Sequence, residues 1–144
     1  MGRILALDYG KKRVGLAVTD PLKITANGLE TVQTSEVKDF LIRYLEREEI
    51  ECVVVGMPKQ MSNLPSEAAR YIESFIKWFG STFPGILLER MDERFTSKMA
   101  ERALLEGGVK KMKRRDKGLV DKVSAVLILQ SYLESRNSHL APRN

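Results

Sequence analysis

The chain has one cysteine, one histidine and one tryptophan in 144 residues. A single thiol, Cys52, excludes an intrachain disulfide and suits a reducing compartment; ahead of "VVVG" it reads as a small buried hydrophobe. No apolar run approaches the ~18 residues of a membrane span. The opening "MGRILALDYG" enters a strand-like pattern without a cleavable signal region, so a cytoplasmic location and no membrane partner are expected. With His139 as the only histidine, placed in the tail, no zinc-type cluster of Cys and His is available. Repeats, low-complexity segments and long linkers are also absent. What remains, 43% apolar and 30% charged residues, is the composition of a single globular domain, expected over 1–136 with a flexible tail over 137–144.

The net charge of +5 is concentrated. The segment "KKMKRRDK" sets Lys110, Lys111, Lys113, Arg114, Arg115 and Lys117 against Asp116, a surplus that equals the whole net charge and leaves the remainder neutral. Such a concentration favours a polyanionic partner over a generally basic surface, although a solvated loop without function has the same composition.

Hydrophobic period orders the elements. "RILALD" and "VGLAVT" read as strands joined by the turn "YGKKR", and "GLETVQ" as a third strand. From Ser35, a candidate cap, the stripe Val37, Phe40, Leu41, Tyr44 and Leu45 predicts an amphipathic helix. "CVVVG" is a β-branched run expected of a strand covered on both faces, and the loop "GMPKQMSNLP" follows it. A helix from about Ser66 to Gly80, a strand in "GILLERMDE", a short helix in "SKMAERALLEG" and a final helix from about Gly118 to Ser135 complete the pattern. The expected class is α/β, a mixed sheet with helices on both faces.

Four carboxylates stand out. Asp8 ends the first strand, Asp92 and Glu93 end the last, and Asp121 opens the final helix on a face shared with Ser124, Ala125 and Ile128. That face is small and apolar, so an ionised Asp121 requires a nearby cation. Acids gathered at the carboxyl ends of strands repel one another unless a divalent metal neutralises them, and hard oxygen ligands suit Mg²⁺ or Mn²⁺. Adjacent side chains on an extended strand face opposite ways. Glu93, the longer of the two, is therefore the expected ligand, and Asp92 an alternative or a residue that orients the ligands from outside. Taken singly, each acid also fits a bland role as turn former or helix-dipole partner.

"LALDYGKKRVGLAVTD", "VVVGMPKQMSN", "DERFTS" and "KGLVDKVSAVLILQSYL", in this order over nearly the whole chain, resemble the YqgF/RuvX family, Holliday-junction-resolvase-like nucleases also described as pre-16S ribosomal RNA processing nucleases. The resemblance implies an RNase H-like fold with sheet order 3-2-1-4-5, and a metal-dependent nuclease site with Asp8, Glu93 and Asp121 as catalytic, metal-holding acids. One departure stands out: related resolvases place the second acid on the fourth strand, whereas that strand ends here in "GMP". Glu93 would then start roughly 10 Å from the strand of Asp8 and lean across Gly56.

The implied mechanism uses two Mg²⁺ or Mn²⁺ ions on these acids, one to generate the attacking hydroxide and one to stabilise the leaving oxygen. Lys11, Lys12 and Arg13, together with Lys110, Lys111, Lys113, Arg114, Arg115 and Lys117, would grip phosphates of a structured RNA precursor or a branched DNA. RNA and DNA stay open as substrates, as do monomer and homodimer. Two other readings compete: a non-catalytic nucleic-acid-binding ribosome-assembly factor, and a nucleotide-binding fragment of the actin and sugar-kinase kind, for which the chain lacks room for a second lobe.

Overall fold

A computed structural model describes residues 2–57, 67–92 and 117–140. The strands are β1 (Arg3–Tyr9), β2 (Arg13–Thr19), β3 (Ala26–Gln33), β4 (Ile50–Met57) and β5 (Leu87–Asp92). The helices are α1 (Val37–Arg47), α2 (Glu67–Thr82) and α3 (Lys117–Leu140). The strands form one sheet in the order β3-β2-β1-β4-β5, as expected. β1 pairs antiparallel with β2 and parallel with β4; β2 and β3 are antiparallel, β4 and β5 parallel.

The β1–β2 hairpin closes through the Gly10 amide, which donates to the Arg13 carbonyl at 2.9 Å. A Cβ at Gly10 would stand 2.7 Å from that oxygen, so the turn requires glycine. Thr34 ties the hairpin down: its amide donates to Lys12 O at 2.9 Å and its hydroxyl to Gly10 O at 2.7 Å. Ser35 does not cap α1. It sits inside a 3-10 turn, Thr34–Glu36, that leads directly into the helix with no side-chain cap. At its other end α3 continues to Leu140, five residues beyond the expected Ser135.

Side-chain alternation divides the core in two. Leu5, Leu7, Tyr9, Val14, Leu16, Val18, Val53 and Val55 face α1 and α2, where they meet Val37, Leu41, Tyr44, Ile72, Phe75 and Phe79. Ile4, Ala6, Ala17, Cys52 and Val54 face α3, where they meet Ala125, Ile128, Leu129 and Leu133. Helices therefore cover both faces. Full burial of a Leu, Val or Phe side chain stabilises by ~1.5–3 kcal/mol, so β1, with Leu5, Ala6 and Leu7 all fully buried, is the anchor of the sheet. The short helix expected in "SKMAERALLEG" lies outside the described residues.

Candidate active site

The alternation that directs Ile4 and Ala6 towards α3 brings Asp8, two residues on, to the same face at the carboxyl end of β1. Both its cross-strand partners are glycines: Asp8 pairs with Gly15 on β2 and with Gly56 on β4, and Gly56 in turn pairs with Met91 on β5. The half-buried Asp8 is thus flanked by two positions without side chains.

Gly15 lets α3 approach. A Cβ there would lie 2.0 Å from the Asp121 carbonyl oxygen and 2.9 Å from Lys122 N, so the helix backbone rests directly on β2. One strand further out, a Cβ at Gly28 would meet Lys122 Cγ at 3.0 Å. These two contacts fix the first turns of α3 over β2 and β3. Asp121 is thereby set beside the strand neighbour of Asp8, about one interstrand spacing, ~4.8 Å, across the sheet. The structure brings these two acids to one corner of one face.

Asp121 has its cation. Arg13 Nε donates to Asp121 Oδ2 at 2.7 Å, with the two side chains 36% and 23% exposed. The expectation that a carboxylate on this apolar face requires a counter-charge is met by an arginine 108 residues away, one anticipated only as a phosphate contact. A turn further along α3, Ser124 is buried and its hydroxyl has no hydrogen-bond partner.

Of the remaining nominated residues, Lys11 and Lys12 are exposed in the hairpin turn beside Asp8, and Lys117 opens α3. Asp92 closes β5, paired in register with Met57. Glu93, Lys110, Lys111, Lys113, Arg114 and Arg115 lie outside the described residues. Cys52 sits at the far end of the α3 face with its sulfur 3.8 Å from Tyr132 Oη. Burial pushes both the Cys52 thiol and the Tyr132 phenol up, which disfavours the thiolate.

Among the described residues, no three His, Cys, Asp or Glu gather into a metal-holding group. Asp8 and Asp121 nonetheless fit a divalent cation in two respects: both are hard oxygen donors, and the buried Ser124 hydroxyl, without a partner, lies one turn away. The sequence places Ser124 on the face of Asp121, but it does not reveal the role of Gly15 or the Arg13–Asp121 pair. Only Gly15 had a local signal, since a glycine inside an alternating strand marks close approach by another backbone.

A mixed sheet of this order, with helices on both faces and an acid at the end of its central strand, defines an RNase H-like fold. Thermus thermophilus RuvC shares it. The structure titled "T. thermophilus RuvC in complex with Holliday junction substrate" aligns over 96% of this chain and 97% of that one, with a TM-score of 0.58 at 19% identity. The chain belongs to the RuvX family, described as Holliday junction resolvase, whose profile matches residues 2–135. A relative in Parabacteroides distasonis is 54% identical over 97% of this chain and all of its own length. One in Porphyromonas gingivalis is 57% identical over 94% of this chain and 98% of its own. Both carry the name "putative pre-16S rRNA nuclease".

Proposed function

We propose that this protein is a metal-dependent nuclease that hydrolyses phosphodiester bonds in the precursor of 16S ribosomal RNA. The observation that carries the reading is the corner formed by Asp8, set between two glycines, and Asp121, held over one of them. The names of the relatives in Parabacteroides and Porphyromonas favour the RNA substrate. The family's description favours branched DNA as the second reading.

Asp8, Asp121 and Glu93 would hold Mg²⁺ or Mn²⁺. Met91 packs on the α3 side of β5 and pairs in register with Gly56, the neighbour of Asp8. Bound divalent ions supply Lewis-acid activation of water and neutralise charge on the scissile phosphate. The chain's own groups do the rest. Asp8, rooted in the central strand of the sheet, is one fixed carboxylate donor, and α3 fixes Asp121 beside it. Lys11 and Lys12 attract the adjacent backbone, and the basic run from Lys110 to Lys117 takes flanking phosphates, so that affinity falls as salt rises. The products expected are a 5′-phosphate and a 3′-hydroxyl. RNA trimming requires only a monomer, whereas resolving a junction draws on a two-fold dimer. The compartment proposed is the cytoplasm.

The test is cleavage of a pre-16S ribosomal RNA fragment and of a four-way DNA junction with Mg²⁺ or Mn²⁺. Wild type should cut the RNA at defined positions. Asp8→Asn, Glu93→Gln and Asp121→Asn should each lose roughly 100-fold or more, at least the loss seen when groups supporting a metal ligand are removed. Cleavage by Asp8→Asn at the wild-type rate, or no cleavage with either metal, would overturn the reading; cutting confined to the junction would move the substrate to DNA.

A further inference from the structure

The ion pair between Arg13 and Asp121 lies inside the corner where the metal is expected. Arg13 Nε is 2.7 Å from Oδ2, on the acid whose backbone is locked against Gly15. The Arg13 main chain is equally fixed: its carbonyl accepts from Gly10, and it pairs in register with Gln33 on β3. Only the Arg13 side chain, 36% exposed, is at liberty to change partners. A divalent cation arriving at Asp121 would meet a guanidinium already seated on the carboxylate, and two positive groups at such range repel. A guanidinium displaced from a carboxylate is, in turn, suited to phosphate, whose oxygens match its planar fork of donors.

We propose that Arg13 is a placeholder and coupling residue: it neutralises Asp121 in the metal-free protein, and transfers to a backbone phosphate of the nucleic acid when the metal takes that carboxylate. The inference rests on the metal-dependent reading above and adds that metal and nucleic acid bind cooperatively through one side chain. Without nucleic acid, the arginine opposes the metal. With it, the phosphate draws the arginine away and the metal binds more tightly. Linkage makes the effect reciprocal, so the metal tightens nucleic-acid binding by the same factor. A site of this kind would hold its metal chiefly when substrate is present.

The experiment is a calorimetric titration with Mn²⁺, with and without a short, fully phosphorothioate RNA that resists hydrolysis. Wild type, Arg13→Gln, Arg13→Lys and Asp8→Asn are compared, each checked for folding by its thermal melt. Without RNA, Arg13→Gln should bind Mn²⁺ about tenfold more tightly than wild type, a difference of ~1.4 kcal/mol. Arg13→Lys, which keeps the charge and loses the fork, should fall between them, and it serves alone if the glutamine variant does not fold. Added RNA should tighten Mn²⁺ binding to wild type by a similar factor and leave Arg13→Gln unchanged.

Mn²⁺ binding to Arg13→Gln no tighter than to wild type, or RNA coupling that survives the substitution, would overturn the proposal. If wild type binds Mn²⁺ in an Asp8-dependent way and either of those results is found, the coupling alone fails. If neither wild type nor Arg13→Gln binds Mn²⁺ more tightly than Asp8→Asn, the metal reading fails and takes the proposal with it.

Discussion

The two faces of the sheet are built to opposite rules. Towards α1 and α2 the contacts are large: Tyr9, Phe75, Trp78, Phe79 and Phe83 form a chain of aromatic rings, Tyr9 and Phe75 with centroids 4.9 Å apart. Towards α3 the contacts are small, with Ala6, Ala17 and Ala125 in the core and Gly15 admitting the helix backbone itself. Bulk on the first face keeps the helices at the distance set by side-chain volume and supplies most of the burial. Lack of bulk on the second allows a helix close enough to bring a carboxylate beside another carboxylate. Most of the burial and the proposed chemistry thus occupy opposite sides of the same strands.

The largest effect that can separate the faces is Phe75→Ala. It should destabilise by ~3–5 kcal/mol in urea denaturation, as large-to-small substitutions of buried aromatics do. The Mn²⁺ affinity of the protein that remains folded should not change. A parallel loss of metal affinity would break the division. Next comes Gly15→Ala, which adds only one carbon, but at 2.0 Å from a backbone oxygen of α3. A stability loss of ~1–3 kcal/mol is expected from overpacking, together with a loss of Mn²⁺ binding that Phe75→Ala does not show. If Gly15→Ala binds Mn²⁺ like wild type, close approach of α3 is not what forms the site.

The smallest effect lies at the other end of β2. There the Asp20 carboxylate accepts from the Thr25 and Ile24 amides, both at 2.8 Å, and from Leu22 N at 3.2 Å. The Thr25 amide, foremost among these donors, holds the Asp20 carboxyl below its ordinary value. A depressed carboxylate orders the loop above its unfolded pKa, and that ordering is lost as pH falls through the folded value. Protection of the Ile24 and Thr25 amides against exchange, measured relative to the free-chain rate at each pH, should therefore fall in acid, and Asp20→Ala should abolish that change in protection without altering metal affinity. Unchanged exchange in Asp20→Ala would show that the loop is ordered by other means, such as the Lys23–Glu51 ion pair.

Much of this was legible in the chain. The β-branched run of β4, the stripe Val37, Leu41 and Tyr44, and the small face of Ser124, Ala125 and Ile128 are local patterns, and each element formed where its period placed it. Boundaries were less so. Ser35 has the chemistry of a cap, yet Thr34 is already bonded to the hairpin and draws the chain into a 3-10 turn. The end of α3 had no marker, because after Gly118 the next residue that breaks a helix is Pro142. The partnership of Arg13 and Asp121 was the least legible. Each residue announced a charge, but nothing local says that a hairpin base and a helix start separated by most of the chain will meet.

Catalysis as proposed requires Asp8 and Asp121 to share one divalent cation. The most direct measurement is an anomalous difference map at the manganese edge from crystals grown with Mn²⁺. The expected result is a peak in contact with both carboxylates, with the Arg13 guanidinium moved off Asp121. Manganese bound elsewhere, or a corner that stays empty at saturating Mn²⁺ with the arginine still in place, would contradict it.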